Sequence, residues 1–384
     1  MITHPQAHLM PTQDSAQNPP RPEGLVTFFD ITNVDTNGAE IRYYGESLVP
    51  ERALVQEIAP EFQQQGYDIQ FSSQRGYDVI VAQPTGGGTN GLPWTNLVMF
   101  LATVLSTLFV GAYGWYYVPI SDILANPLVV LRAWPFTAAV LGVLMTHEFG
   151  HYLMGRRYDV RVSLPYVIPF IFPFGTLGAV IRMKGQMPSR RALFDIGAAG
   201  PIAGLVATSV VTVVGLSLEP VTVPAHITAG ASQEIVFNDP RLLEYIATAL
   251  GYADPSQVGH QPVIIGAWVG MFFTFLNLLP VGQLDGGHMV RAMVGQRQET
   301  IASLVPAGLF ALAGYLYYVR DLGLNESVGL WAFWGVFSLL IAFNGPADPL
   351  DESELGWARI LVGIVTFGLG ALCFMIVPIQ IQPV

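Results

Sequence analysis

Between residues 94 and 379 the chain is a succession of long apolar segments, and nothing else constrains its fold as strongly. A membrane-spanning helix needs about 20 mainly apolar residues. Stretches of that kind fall near 94–118, 133–155, 195–218, 262–282, 301–319, 328–344 and 357–379. Of all residues, 52% are hydrophobic and only 12% charged, against about 25% charged in an ordinary soluble domain. A soluble protein so poor in charge could not cover its surface, so a cytosolic globular enzyme and a disordered chain are excluded. The net charge of −11 also opposes the phosphate contacts of a nucleic-acid binder, which need Lys and Arg. The single cysteine, Cys373, excludes an intrachain disulfide framework and a cysteine-ligated zinc. The expected fold class is a polytopic α-helical membrane protein with about seven transmembrane helices, a membrane-dipping hairpin and a small N-terminal α+β domain.

The hairpin expectation rests on residues 162–181, VSLPYVIPFIFPFGTLGAVI, which are apolar but carry Pro165, Pro169, Pro173, Gly175 and Gly178. Proline at that spacing breaks a helix. Non-helical backbone is tolerated at membrane depth only where protein or a wet cavity surrounds it. Flanking this element, residues 156–191 hold Arg156, Arg157, Arg161, Arg182, Lys184, Arg190 and Arg191 against one acid, Asp159. The excess marks a cytoplasmic side. Two spans precede it, which puts the N-terminus on the same side. The segment 219–261, with Arg241 and five acids, is then expected outside, and seven spans place the C-terminus outside as well.

Ahead of the first span, residues 1–24 are polar and Pro/Gln-rich, and read as a disordered tail. Residues 25–84 read as a soluble α+β unit. GLVTFFDI and AEIRYYGE have strand character. Leu54, Ile58 and Phe62 recur every four residues on one helix face. YDIQFSS and YDVIVAQP alternate as two strands joined by a short turn at Gln74–Gly76. Residues 85–93 form a Gly-rich linker, and 94–384 the membrane domain.

The chemistry concentrates in MTHEFGHYLMG, residues 145–155. On a helix, His147 and His151 share a face and can bind one zinc ion, with Glu148 placed to polarise a water on it. A carboxylate at the centre of a membrane helix costs about 2.5–3.5 kcal/mol, so packing alone gives no reason for two His and a Glu there. A catalytic zinc needs a third protein ligand and one open position. The best candidate is Asp285 in FLNLLPVGQLDGGHM, residues 275–289, where Asn277, Pro280 and Gly286–Gly287 interrupt an apolar run. Taken alone, that segment could equally be a solvated turn with Asp capping a helix. Paired with the HExxH helix, the ligand reading dominates.

These paired motifs, over about residues 94–345, resemble the site-2 protease family of intramembrane zinc metalloproteases. The resemblance implies a three-helix catalytic core with one Zn²⁺ held by His147, His151 and Asp285, and Glu148 as general base. It implies cleavage of transmembrane segments of membrane-protein substrates, as in regulated intramembrane proteolysis. FGTLGAVIRMKG (174–185) resembles the family's hairpin that holds substrate as an added strand, which makes Gly175, Thr176 and Gly178 candidate substrate-binding residues. Asn277 could stabilise an oxyanion or bind substrate backbone, or could cap carbonyls freed by Pro280. FDIGAAGPIAGL (194–205) reads as helix packing through Gly197, Gly200 and Gly204, and His288 as an unremarkable loop histidine. Many bacterial members insert a PDZ domain after the HExxH helix. Residues 156–194 leave no room for one, and the soluble unit is N-terminal instead, as in a branch found in bacteria and plastids.

The expected partners are a transmembrane substrate and the lipid bilayer, with no nucleic acid. The expected location is the bacterial cytoplasmic membrane, ahead of a plastid. Two other classes stay open: a metal-ion transporter, since intramembrane His and acids also mark ion paths, and a non-catalytic membrane scaffold. Chance is the better explanation for His4, His8, His226 and His260.

Overall fold

The computed structural model describes residues 20, 23–37, 40–74, 77–84, 93–171, 173–184, 187–222, 224, 233–252, 261–342 and 345–383. Most of the expected disordered tail, the Gly-rich run 85–92, the tip of the 74–76 turn, and His4, His8, His226 and His260 lie outside the described residues. The chain divides into two compact units, Met1–Asn90 and Gly91–Val384.

The first unit runs α1 (Glu23–Phe28), β1 (Phe29–Asn37), β2 (Glu40–Ser47), α2 (Glu51–Gln64), β3 (Tyr67–Gln74) and β4 (Tyr77–Pro84). The strands form one antiparallel sheet in the order β1-β2-β4-β3. Leu54, Ile58 and Phe62 are fully buried, as their common helix face requires. The expected strand at GLVTFFDI begins only at Phe29. Residues before it form the short helix α1, whose Leu25 is buried and whose Gly24 N–H donates to Glu61 Oε2 on α2 at 3.1 Å. A tertiary bond to α2 thus overrides the local strand preference of an apolar, aromatic run.

The second unit begins with α3 (Trp94–Val110), α4 (Ile120–Ala125) and α5 (Trp134–Arg157). Five short strands follow: β5 (Arg161–Val162), β6 (Tyr166–Pro169), β7 (Thr176–Val180), β8 (Met183–Lys184) and β9 (Met187–Ser189). Next come α6 (Arg190–Leu216), β10 (Gln233–Phe237), α7 (Arg241–Ala249), α8 (Pro262–Asn277), α9 (Asp285–Val294) and α10 (Gln298–Tyr318). The unit ends with α11 (Gly329–Ala342), β11 (Pro349–Asp351), α12 (Trp357–Leu372) and β12 (Ile379–Pro383). Five helical stretches are long and apolar enough to cross a membrane: Trp94–Trp115, Pro127–Arg157, Arg190–Leu216, Asp285–Tyr318 and Leu324–Ala342. The molecule is a polytopic membrane protein. The two other expected spans, near 262–282 and 357–379, are the 16-residue helices α8 and α12. Sixteen residues rise about 24 Å, short of a hydrocarbon core of about 30 Å. Their shortness has a local cause in α8: the chain leaves the helix at Leu278, two residues before Pro280, which cannot donate to a helical ladder. α8 is nevertheless the most enclosed helix, with Ile265, Trp268, Val269, Phe272 and Leu276 in the main core cluster.

Residues 162–181 form a hairpin rather than a crossing helix. β6 and β7 pair antiparallel from Tyr166↔Val180 to Pro169↔Thr176. One polar stripe of α3 holds the β6 side. Asn96 Nδ2 donates to the carbonyls of Leu164 and Pro165 at 2.8 and 3.0 Å, and Thr103 Oγ1 to Val167 O at 3.0 Å. At the tip, Ser106 Oγ donates to Gly175 O at 2.6 Å. Gly175 has φ +83, and a Cβ there would lie 2.4 Å from Thr107 Cα, so no other residue fits this turn. Phe174 beside it packs on Trp268 and Phe237, with ring centroids 5.6 and 5.9 Å apart.

The far end of α9 is tied by charge. The Arg291 side chain is 3% exposed. Its Nη2 donates to Asp348 Oδ1 at 2.8 Å and to Glu352 Oε1 at 2.7 Å, and its Nε to Asp348 Oδ1 at 3.0 Å. Arg190 Nε donates to the Ala292 carbonyl at 2.5 Å, at the end of the same helix. A buried cation stripped of its partners costs about 3–5 kcal/mol. Asp348→Ala alone should therefore cost little, because Glu352 still reaches the guanidinium. Asp348→Ala with Glu352→Ala should cost most of that range, measured as a lowered thermal unfolding midpoint of the detergent-solubilised protein. A double variant as stable as the single one would refute the tie.

Candidate metal centre

α5 starts with Pro135 in its first turn, where a missing N–H costs nothing, and continues as 24 helical residues. Its face toward α6 and α8 carries His147, Glu148 and His151, exposed by only 5%, 6% and 5%. Asp285 is the first residue of α9. It does not sit in a solvated turn. The irregular segment after α8 reverses the chain so that this helix start points at α5.

Three donor atoms converge there. His147 Nε2 lies 3.1 Å from Asp285 Oδ2, His151 Nε2 lies 3.2 Å from Asp285 Oδ1, and the two Nε2 atoms are 3.2 Å apart. His151 Nδ1 is 2.7 Å from the Ile196 carbonyl. A carbonyl only accepts, so Nδ1 carries the proton and the Nε2 lone pair faces the cluster. Tetrahedral zinc with arms of about 2.0 Å spaces its ligand atoms about 3.3 Å apart. The three observed separations match such a face, and the set of two imidazoles and a carboxylate is one that zinc accepts. His147, His151 and Asp285 could therefore hold one metal ion, and they are the one such group among the described residues.

The space for the rings comes from α6. A Cβ on Gly200 would lie 2.0 Å from His151 Nε2, and one on Gly204 would lie 2.9 Å from His147 Nδ1. These glycines admit the imidazoles as well as bringing two helices together. The sequence shows the four-residue spacing of both glycines and histidines, a signal that would have linked them. The Ile196 carbonyl had no such signal, because any residue carries one. His288, expected as a loop residue, is instead buried on α9 and accepts a hydrogen bond at Nδ1 from the Ala347 N–H at 3.3 Å.

The other candidates divide into two groups. Asn277 ends α8 with its Nδ2 3.4 Å from His147 Nε2, beside the three ligands. α5, which carries Glu148, packs against β7, so the hairpin runs up to it. Gly175 lies at the hairpin tip against α3, away from the metal ligands. Gly178 is within β7, facing Phe273. The Thr176 hydroxyl is buried and already used inside the hairpin, donating to Ile168 O at 2.9 Å and accepting from the Gly178 N–H at 3.0 Å. Any contact of Thr176 with another chain would have to come from its backbone.

Residues 135–318 match the family model described as Peptidase family M50. The chain is 37% identical over 247 residues to the "Probable zinc metalloprotease EGY1, chloroplastic" of Arabidopsis thaliana, covering 60% of this chain and 41% of that one. The protein of the same name in Oryza sativa subsp. japonica is 32% identical, with 62% and 40% covered. The "Probable zinc metallopeptidase EGY3, chloroplastic" of Arabidopsis thaliana is 26% identical over 324 residues, with 80% and 51% covered. The chain thus spans about two fifths to half the length of these relatives. The matched segment contains α6, α8, α9 and nearly all of α5, and with them all three metal-ligand candidates, so the likeness to peptidase family M50 falls on the part of the chain that builds the site.

Proposed function

We propose that this protein is an intramembrane zinc endopeptidase that cuts transmembrane segments of membrane-protein substrates. The observation that carries the reading is the convergence of two imidazole nitrogens and a carboxylate at 3.1–3.2 Å inside apolar helices. His147, His151 and Asp285 would hold one Zn²⁺. When bound, zinc supplies Lewis acidity that activates a water and polarises the scissile carbonyl. Glu148 takes the proton from that water and passes it to the leaving amine. Asn277 donates toward the carbonyl oxygen as charge develops there.

A substrate helix offers no free peptide bond, so it must unwind before cleavage. β6 is engaged by α3 on one side, whereas β7 pairs only with β6 among the described residues. The outer edge of β7, kept open beside Gly178, whose own N–H is taken by Thr176, supplies backbone partners for an unwound strand. The packing of β7 against α5 brings a strand laid along that edge toward the general base. Gly175 and Thr176 shape the edge rather than touch substrate with their side chains.

We place the soluble unit at residues 25–84 and the metalloprotease domain at 94–384. With α8 and α12 crossing as short helices, the domain has seven spans. The Arg-rich side, with the N-terminus, faces the cytoplasm or its organellar equivalent. The chloroplastic names of the relatives support a plastid membrane over the bacterial one expected from sequence. A transporter would need further ligands along a path to both faces. The described residues hold one compact group, which favours hydrolysis. The presence of Glu148 and all three ligands likewise favours an enzyme over an inert scaffold.

Glu148→Gln should leave zinc content at one ion per chain while lowering cleavage of a transmembrane substrate by about 10²–10⁴-fold, the usual contribution of a general base. Unchanged cleavage by zinc-loaded Glu148→Gln would sink the mechanism. Gly200→Ala puts a methyl against His151 and should lower zinc affinity about 10–100-fold, the usual loss when a ligand's support is disturbed. Metal analysis after dialysis reads this directly, and full zinc retention would show that the close approach is not needed.

A further inference from the structure

On the face of α5 and α6 turned away from Asp285 lies a groove of about 510 Å³. Gly150 and Leu153 of α5, Ala199 and Ala203 of α6 and Val362 of α12 line its apolar length, and Arg157 and Asp195 its polar end. The two charges differ in their partners. Asp195 is matched: Arg359 Nε and Nη2 donate to its two oxygens at 2.7 and 2.8 Å, and the Tyr158 hydroxyl donates to Oδ2 at 2.5 Å. Arg157 is exposed and has no ion-pair partner among the described residues. The polar end of an apolar groove therefore presents a free guanidinium.

We infer that this groove is a binding site for an anionic phospholipid, with one acyl chain along the small residues and the phosphate on Arg157. Size decides the occupant. A helix about 10–12 Å across would fill the groove with roughly one turn, whereas the volume lies within the range of about 300–1,000 Å³ common for small-molecule sites. Charge decides the head group. A guanidinium pairs with phosphate by two parallel hydrogen bonds, and basic pockets between transmembrane helices are suited to acidic lipid heads. Leu153, at 65% exposure, and Val362, at 43%, leave the long side of the groove open to the bilayer, so a lipid enters sideways without any helix moving.

The test uses the full-length protein extracted from vesicles of phosphatidylcholine containing phosphatidylglycerol, with retained lipid counted by native mass spectrometry. Wild type should keep one phosphatidylglycerol in preference to phosphatidylcholine. Arg157→Gln should reduce that preference roughly tenfold, the scale expected when one charge-assisted phosphate contact is lost. Arg156→Gln makes the same charge change one residue away, outside the groove, and should retain the preference. Val362→Trp fills the apolar length and should release both lipids. Equal losses from Arg156→Gln and Arg157→Gln would reduce the effect to surface charge and overturn the site. So would undiminished retention in Arg157→Gln or in Val362→Trp. Slower substrate cleavage by Val362→Trp with lipid retention unchanged would assign the groove to a substrate helix instead, and that also overturns the proposal.

Discussion

The membrane unit is arranged around three groups, two imidazoles and a carboxylate, that meet at one point inside apolar helices. The Nε2 atoms of His147 and His151 and the carboxylate of Asp285 meet within hydrogen-bond distance. With Nδ1 of His151 donating to the Ile196 carbonyl, its Nε2 faces the Asp285 carboxylate as acceptor against acceptor. In water such groups would separate. Here they are held by helices, and the interior offers no solvent to relieve them. A metal ion converts the conflict into a bonding arrangement. The scaffold must therefore hold the conflict before the ion arrives, which requires rigid backbone on every side.

The rigidity has identifiable sources. α5 supplies two ligands at helical spacing, so their relative position is set by backbone geometry alone. Asp285 comes from 134 residues beyond His151 and has no such guarantee. Its position depends on the reversal after α8 and on the packing of α9. At one end of α9, Asp285 sits in the first turn, where the helix dipole favours an anion. At the other, Arg291 lies in the last turn, where it favours a cation, and is gripped by Asp348 and Glu352. A ten-residue helix with its charges placed in this sense cannot be reversed or slid by a turn without losing both.

Much of this was legible in the sequence, for a physical reason. The two histidines and Glu148 stand out because lipid physics makes charge rare there. Prolines 165, 169 and 173 ruled out a helix just as locally, and Leu54, Ile58 and Phe62 marked a buried face by period. What was hidden depends on contacts between distant segments. The bond from Gly24 to Glu61 turned an expected strand into a helix. The role of Gly200 depends on which helix lies opposite it, and the Ile196 carbonyl has no side-chain signature at all. His288 read as a loop residue because the chain around it is glycine-rich, yet those glycines start a helix. The length of α8 misled because hydropathy runs on past the point where Pro280 ends the hydrogen-bond ladder.

Charge placement ties these observations together. With so few ionisable residues in the membrane unit, three enclosed ones have specific neighbours: Asp285 meets two imidazoles, Arg291 two acids, and Asp195 a guanidinium and a phenol. These pairs join α5 to α9, α9 to the segment before α12, and α6 to α12. The hydrophobic effect alone cannot fix the register of helices in lipid, because the tails are as apolar as the side chains. Directional polar contacts can. The sparse charges therefore set the relative positions of helices that packing would leave free to slide, and the metal centre is the tightest member of that set. A charge left without a counterpart, as Arg157 is, stands outside this positional role and is available to something the chain does not itself contain.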